Sequence, residues 1–354
     1  MDDFNIDSHK LNYHIDRVYD WFKGKNMYPL YIEITPTNSC NHRCIFCAFD
    51  YLKYKPIFIE KAPLKRFLSE IAQKGVKSIM YGGEGEPLLH KDIAEFIIHS
   101  KEKGLDAAVT TNGILFDKRL CASVLGKLTW VRMSVDAASA KTYSKIHRCK
   151  ESDFKKVLSN LENAVKLKRS KKYKTTIGVQ FLLLNQNYDE APKMAKILKD
   201  IGVDYLIIKP YSHHPFSLNE LRLDLNYKRF LFLDEKLKKY SKDGFQVIFR
   251  KHTMEKLGEK RPYEICYGLS FWSYLTSKGE VYACSCFLGD KRFYLGNIYK
   301  ESFSEIWNGK RRRKFLKMME KKWDIKNCRV NCRMDEINRY LWNLKFPPEH
   351  VNFI

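Results

Sequence analysis

The sequence predicts an α/β fold: a partial (β/α)6 TIM-like barrel followed by a small domain of one β-hairpin and helices. Three observations carry this. Six short β-rich runs alternate with amphipathic segments, at Leu30–Thr35, Ser78–Gly82, Asp106–Thr110, Thr129–Val135, Thr175–Leu184 and Asp204–Pro210. Strands that alternate with helices form a parallel sheet with the helices outside it. Each run ends in a polar cluster: Asn38-Ser-Cys40, Gly82-Gly-Glu84-Gly-Glu86, Thr111-Asn112-Gly113, Ser134-Val-Asp136, Asn185-Gln-Asn187 and Lys209-Pro-Tyr211-Ser-His213-His214. In barrel-like parallel sheets those ends share the rim that carries the chemistry. After about Gln246 the alternation stops and cysteines return, which marks the second, smaller domain.

In chain order, residues 1–29 hold an N-terminal helix with Leu11, Ile15, Val18 and Phe22 on one face. Residues 30–245 form the six-unit core. There Leu64, Phe67, Leu68 and Ile71 make one helical stripe, and Phe154, Val157, Leu158 and Leu161 another. Pro63 fits a first helical turn, Asp153 is a candidate N-cap, and a further helix is expected around Arg229–Tyr240. Residues 246–354 are the appended domain. Within it Ser277-Lys-Gly279-Glu280 reads as a turn between strands at Tyr274–Thr276 and Val281–Ala283. Ser302 and Glu305 form a capping box ahead of a basic helix, Lys310-Arg-Arg-Arg-Lys314 with Lys317, Lys321 and Lys322. Its apolar stripe is Ile306, Trp307, Phe315, Met318 and Met319, so its basic side is read as a solvated face, with RNA binding as the lesser option.

The 354 residues carry a formal net charge of +23, which favours anionic partners. No apolar run approaches the roughly 20 residues of a membrane span, and the acidic Met1–Asp7 start is unlike a signal peptide. A cytoplasmic location without membrane contact is therefore expected. There the ten cysteines are metal ligands rather than disulfides.

Cys40, Cys44 and Cys47, spaced C-x3-C-x2-C, place three thiolates on one short loop. Three ligands suit three corners of an Fe–S cubane and leave one iron open. An open iron can chelate the amino and carboxylate groups of S-adenosylmethionine (SAM). A zinc site completed by His42 is the alternative, and it leaves the glycines and the other strand ends unexplained.

With these residues in view, the chain resembles the radical SAM superfamily over roughly Leu30 to Tyr240. Phe46 fills the aromatic place of the family's C-x3-C-x-aromatic-C hallmark, near the adenine. Gly82, Gly83 and Glu84 match its Gly-Gly-Glu stretch, which binds the methionine amino group. Ser134 and, more loosely, Asp136 match its strand-four contacts to ribose or carboxylate, and the adenine contact of strand five falls near Ile177–Val179. Asn112 and Arg148 join this cofactor-binding set. The resemblance implies a [4Fe–4S] cluster with SAM, a 5′-deoxyadenosyl radical and an external one-electron donor of flavodoxin or ferredoxin type.

Cys266, Cys284, Cys328 and Cys332 resemble the Twitch module, a shortened SPASM domain, together with Leu295-Gly-Asn-Ile and Ser304-Glu-Ile-Trp307. The resemblance implies that these four bind an auxiliary [4Fe–4S] cluster. The final pair departs from the module's usual spacing, being C-x3-C, and a four-cysteine zinc site is the alternative. Cys286 is read as a bystander, an alternative ligand or a hydrogen-atom donor. Cys121 is read as a buried hydrophobe, and Cys149 has no assigned role.

Lys209, Tyr211, His213 and His214 at the last strand end are the candidate substrate contacts. With Arg132, Arg148 and the net charge they favour an anionic small-molecule substrate. The expected reaction is oxidation or epimerisation of a small polar metabolite, such as an activated or amino sugar. Peptide modification is the alternative, against which stands the short stretch before Leu30. A zinc- and RNA-binding protein is the reading from another class, and nucleic acid is not an expected partner.

Overall fold

The computed structural model describes residues 4, 6–219, 221 and 226–353. All six expected strands form, within two residues of their expected ends: β1 (Tyr31–Ile34), β2 (Ser78–Tyr81), β3 (Asp106–Thr111), β4 (Trp130–Ser134), β5 (Thr176–Leu183) and β6 (Tyr205–Pro210). They pair in chain order, every pair parallel. Their middles are β-branched and aromatic and bury almost completely, as strands covered on both faces do. Outside lie α2 (Lys61–Gln73), α3 (Ile93–Glu102), α4 (Lys118–Val124), α5 (Ala140–His147), α6 (Ser152–Lys171), α7 (Ala191–Ile201) and α8 (Phe232–Lys238). The α2 stripe of Leu64, Phe67, Leu68 and Ile71 is buried as its spacing requires.

The structure corrects the expected end of the alternation. Gln246–Phe249 forms a seventh parallel strand, β7, against β6, followed by a short helix α9 (Lys251–Glu255). A four-residue strand and a five-residue helix are too short to register as a period. The hairpin is not set apart from the barrel either. Its first strand β8 (Trp272–Leu275) pairs parallel with β1 on the side away from β2. Strands β9 (Glu280–Tyr282) and β10 (Tyr294–Asn297) then extend the same sheet antiparallel, giving the order β10-β9-β8-β1-β2-β3-β4-β5-β6-β7.

Three smaller expectations also shift. Helix α1 (Ile15–Phe22) buries Val18, while Ile15 and Phe22 are exposed. A 3-10 turn at Leu11–Tyr13 breaks the phase, and Arg17 turns inward to donate to the carbonyls of Tyr28 and Gly75, both at 2.9 Å. Asp153 lies inside the first turn of α6 rather than at its cap. The helix expected at Arg229–Tyr240 is a 3-10 turn, Tyr227–Phe230, leading into α8.

The C-terminal part continues with α10 (Phe303–Asn308), α11 (Lys310–Lys321) and α12 (Asp335–Lys345), and the Ser302–Glu305 capping box is present. Glu70 of α2 accepts from the N–H groups of Phe303 and Ser304, each at 2.8 Å. A carboxylate there satisfies the free donors of the α10 N-terminus and suits its dipole. Trp307 Nε1 donates to Met27 O at 2.7 Å, and Arg333 forms an ion pair with the buried Glu33 of β1. The appended strands and helices are thus fastened to the barrel near β1.

Candidate active site

The loop after β1 carries Cys40, Cys44 and Cys47, half-buried and unbridged. It has no regular structure of its own and is held by the elements beside it. Arg43 N–H donates to His147 O at 3.0 Å and Ile45 N–H to Ile146 O at 2.9 Å, so the end of α5 braces it. Asn112 Nδ2 reaches across from the end of β3 to Asn41 Oδ1 at 2.7 Å. The Cys44 sulfur lies 3.2 Å from His147 Nδ1, and His147 Nε2 sits 3.0 Å from Val135 O and 3.4 Å from Asp136 Oδ2. Phe46 packs edge-on against His147. Burial pushes the Cys40 thiol up to about 12 and raises Cys44 and Cys47 as well.

The glycine loop after β2 is shaped by close approach. Gly83 has φ +96°, and a Cβ there would collide with Thr35 Oγ1 and Tyr274 OH. At Gly85 it would strike the Ser39 and Thr37 carbonyls, so this loop lies directly on the cysteine loop. Glu84, between them, is buried, and its Oε1 has no hydrogen-bond partner. Burial is the main cause that raises its carboxyl to about 8, with Lys278 pulling the other way. Glu86 is structural: it accepts from Thr111 Oγ1 (2.6 Å), Asn112 N–H (2.8 Å) and Leu88 N–H (3.1 Å), joining the β2 and β3 ends.

The remaining strand-end residues divide. Ser134 accepts from Gln180 Nε2 at 3.3 Å and stays half-buried. Asp136 is fully buried, accepting from Leu182 N–H at 2.5 Å, so it braces β4 against β5. Arg148, in left-handed conformation, ends α5 and is exposed. Ile177 and Val179 point into the core, and the Tyr205 ring lies against Gly178.

Lys209 is enclosed, and burial together with Arg132, Arg250 and Arg329 holds its ammonium well below the usual lysine range. The Tyr211 hydroxyl contacts His213 Nδ1 and Asn219 Oδ1, each at 3.1 Å. His214 is buried and stacks on Tyr51 with ring centroids 5.3 Å apart.

A cavity of about 1320 Å³ opens beside these loops. Glu84 and Tyr51 line it, and none of Lys209, Tyr211, His213 or His214 does. His214 reaches it only through Tyr51. One wall is α11, whose Arg311, Lys314, Lys317 and Lys321 face the cavity together with Lys322 just beyond the helix. Lys314, Lys317, Lys321 and Lys322 are all exposed, so the solvated-face reading holds. Amphipathic periodicity did not show that this solvated face also borders a cavity. Sequence reasoning also missed Tyr51, Lys53, Lys55, Lys278 and Lys291, which line the same space. The Tyr51-Leu-Lys-Tyr-Lys55 run directly after the cysteines was the one available signal.

In the C-terminal part, Cys266, Cys284, Cys328 and Cys332 lie near one another and near Cys286, close enough that each of the four thiols is raised in part by another cysteine of the group. Three of these sulfurs receive N–H donors: Asn338 Nδ2 to Cys266 (3.2 Å), Trp323 Nε1 to Cys328 (3.3 Å) and Met334 N–H to Cys332 (3.4 Å). Cys286 is buried in a 3-10 turn, Ser285–Phe287, close to Cys284 and His214. Cys121 is buried, as expected for a small hydrophobe.

Among the described residues, the groups whose ligand atoms approach within 4.8 Å of one another are His42–Cys44–His147 and His42–Cys149–Asp153. Neither proposed cysteine set is among these groups.

A barrel rim with three unbridged thiols, a glycine cradle and a buried carboxylate with one unpartnered oxygen belongs to the class of SAM-dependent iron–sulfur enzymes. The comparisons agree. Residues 34–198 match the model of the radical SAM superfamily, and residues 266–333 match that of SPASM, an iron–sulfur cluster-binding domain. The chain therefore carries a radical SAM domain and, C-terminal to it, a SPASM module. Its cofactors are accordingly a [4Fe–4S] cluster with SAM and auxiliary Fe–S binding in the module. The residues present fit these groups: Glu84 offers a carboxylate oxygen without a partner to an ammonium, and the unbridged sulfurs are suitable donors for iron.

It is similar to the GTP 3′,8-cyclase of Chlorobaculum tepidum, with 28% identity over 52% of this chain, and spans about half (55%) of that relative's length. The tungsten-containing aldehyde ferredoxin oxidoreductase cofactor-modifying protein of Pyrococcus furiosus is 25% identical, over 80% of this chain and 81% of its own. The fold is that of Streptococcus suis SuiB, solved with S-adenosylmethionine (TM-score 0.68, 17% identity, 94% of this chain and 78% of that one). No helix among the described residues is long and apolar enough to cross a membrane.

Proposed function

We propose that this enzyme abstracts hydrogen from a small polar, anionic metabolite, such as an activated or amino sugar, leading to its oxidation or epimerisation. The chemistry supplied at the loop cluster is reductive cleavage of SAM to methionine and a 5′-deoxyadenosyl radical, which takes a hydrogen atom from the substrate.

The chain's own residues have distinct tasks in this reading. Cys40, Cys44 and Cys47 hold iron, and His147 and Asn112 fix the loop that presents them. Glu84 takes the methionine ammonium of SAM, replacing a missing hydrogen-bond partner with a charged one. Gly83 and Gly85 let the glycine loop lie on the cysteine loop, and Phe46 and Ser134 border the nucleoside part. The aromatic rings of Tyr51 and His214 help keep water and stray hydrogen donors from that end of the cavity. Cys266, Cys284, Cys328 and Cys332 hold the auxiliary cluster, with Cys286 beside them as a bystander or hydrogen donor. An external flavodoxin- or ferredoxin-type protein supplies electrons.

The observation that carries this reading is Glu84. Its carboxylate is buried, has one oxygen without a hydrogen-bond partner, and lines a cavity rich in cations next to the cysteine loop. Anaerobic reconstitution, reduction and assay for 5′-deoxyadenosine test it, and transfer of deuterium from labelled candidates into that product identifies the substrate. Reduced protein that leaves SAM intact overturns the reading. An acidic peptide as substrate is the second reading, favoured by the breadth of the cavity.

A further inference from the structure

The cavity is larger than SAM alone requires. At about 1320 Å³ it exceeds the roughly 300–1,000 Å³ of a site for one small ligand. Glu84, where the methionine end of SAM is proposed to lie, is one part of its lining. The rest is left for a second molecule, and that part has a composition of its own.

Its charge is one-sided. Lys314, Lys317, Lys321 and Lys322 come from α11 and its end, Lys53 and Lys55 from the segment after the cysteines. Lys278 and Lys291 are contributed by the turns that follow β8 and β9. None of these eight is in an ion pair among the described residues. The two arginines of the lining are both engaged, Arg292 with Asp290 at 2.6 Å and Arg311 with Glu301 at 3.1 Å. Against this stand two lining acids, Glu84 and Glu280. The eight lysine side chains are exposed, and a concave surface with so many like charges concentrates anions from solution.

The arrangement is linear. Lys314, Lys317 and Lys321 recur at three- and four-residue steps and so share one face of α11. Seven residues of helix rise about 10 Å, longer than one phosphate or one carboxylate occupies. The same cavity also offers flat aromatic faces. Tyr294 lies next to α11, beneath the Arg311 guanidinium at 5.6 Å and edge-on to Tyr282 at 5.7 Å, and Phe315 and Met318 of α11 continue the apolar surface. A row of point charges beside aromatic faces suits a ligand with linked phosphates and a planar base, since every base has a face that stacks. An acidic peptide would use the charges and leave the aromatic surface idle.

We propose that the substrate carries a nucleoside diphosphate, whose linked phosphates lie along Lys314, Lys317 and Lys321 and whose base packs at Tyr294. This rests on the hydrogen-abstraction reading and names the class of its substrate. The group to be modified then points from the diphosphate toward Glu84 and Tyr51. The binding energy comes from a part of the substrate remote from the reacting carbon.

The test is calorimetry on the anaerobic holoenzyme with ADP, GDP, UDP and CDP, then with pyrophosphate, uridine and hexaglutamate as separate probes. At least one nucleoside diphosphate should bind, more tightly than pyrophosphate or uridine, and weaken steeply as salt is raised. The Lys314→Gln/Lys317→Gln/Lys321→Gln variant should lose at least tenfold in affinity. The Lys310→Gln/Arg313→Gln variant, on the same helix but off the cavity lining, should lose less than twofold. A Tyr294→Ala variant should narrow the gap between nucleoside diphosphate and pyrophosphate.

Absence of diphosphate binding, equal losses in the two α11 variants, or tighter binding of hexaglutamate than of any diphosphate would each overturn the proposal. Reductive SAM cleavage by the same wild-type preparation separates the two claims. If cleavage fails, the functional reading fails; if cleavage holds while the diphosphates do not bind, only the substrate class is wrong.

Discussion

The two cysteine sets are built on different plans. The loop set has three thiols on an irregular segment that takes its shape from α5, β3 and the glycine loop, and it adjoins a cavity lined by a carboxylate with one unpartnered oxygen. The C-terminal set has four, with Cys286 in addition, gathered from a strand end and two turns. Side-chain donors from Asn338 and Trp323 reach two of its sulfurs. On the proposed ligation the first site leaves a coordination position for a cosubstrate, and the second can be closed by protein alone. The difference teaches that ligand number and surroundings, more than cysteine content, separate a site for chemistry from one for electron transfer or anchoring.

The sharpest way to break that comparison is to remove each set. The Cys40→Ala/Cys44→Ala/Cys47→Ala protein should lose about four irons per chain and drop 5′-deoxyadenosine formation to background. The Cys266→Ala/Cys328→Ala protein should still cleave SAM but fail to complete substrate turnover. Iron analysis and product assay on the two read this directly, and SAM cleavage surviving the first variant would reverse the assignment.

Next in size is Glu84→Gln. It keeps the shape and removes the charge that meets an ammonium, so SAM affinity should fall about 10- to 100-fold, the range of a charge-assisted hydrogen bond. Iron content should not change.

A pH effect follows from the same side chain. The Glu84 carboxyl is raised from 4.5 to about 8 in the ligand-free protein, so near neutral pH it holds a proton that an incoming ammonium must expel. SAM should therefore bind more weakly as pH falls from about 8 to about 6, by up to roughly tenfold per unit. Calorimetry in two buffers of different ionisation enthalpy should register about one proton released. The sign for stability is opposite. With its folded value raised, Glu84 contributes stability that is present below 4.5 and lost as pH rises through about 8. Bound SAM should recover part of that loss.

The smallest expected effect separates the sets electronically. Trp323→Phe and Asn338→Leu each remove one N–H donor to a sulfur of the C-terminal set. Hydrogen bonds to sulfur help to set cluster potentials, so the auxiliary potential should move negative while the loop cluster's stays put. Spectroelectrochemistry distinguishes the two.

Much of this was legible without coordinates. The strands of the core were visible because buried parallel strands are written as short β-branched runs, as at Thr176–Leu183. The cysteine loop and Gly82-Gly83-Glu84 were visible because spacing within a loop is a local property. Other features were not. Asp136 and Asn112 were legible as polar strand-end residues, but not that one also braces β5 through Oδ1 and the other also ties down Asn41, contacts that residue type does not carry. The lysines of α11 are solvated as their period indicated, but that they border a cavity was not visible, because a helical period has no knowledge of what stands opposite.

The sequence by itself determined the order of the core strands and helices, the spacing within both cysteine sets and the resemblance to radical SAM enzymes. These follow from local periodicity and short-range spacing. Only the tertiary structure decided that β7 prolongs the barrel, that β8 lies along β1 to place the module beside the rim, and that α11 turns its cations toward Glu84's cavity. Those outcomes depend on pairing and packing between segments far apart in the chain, where the free energy of burial and hydrogen bonding selects one arrangement that no local pattern encodes.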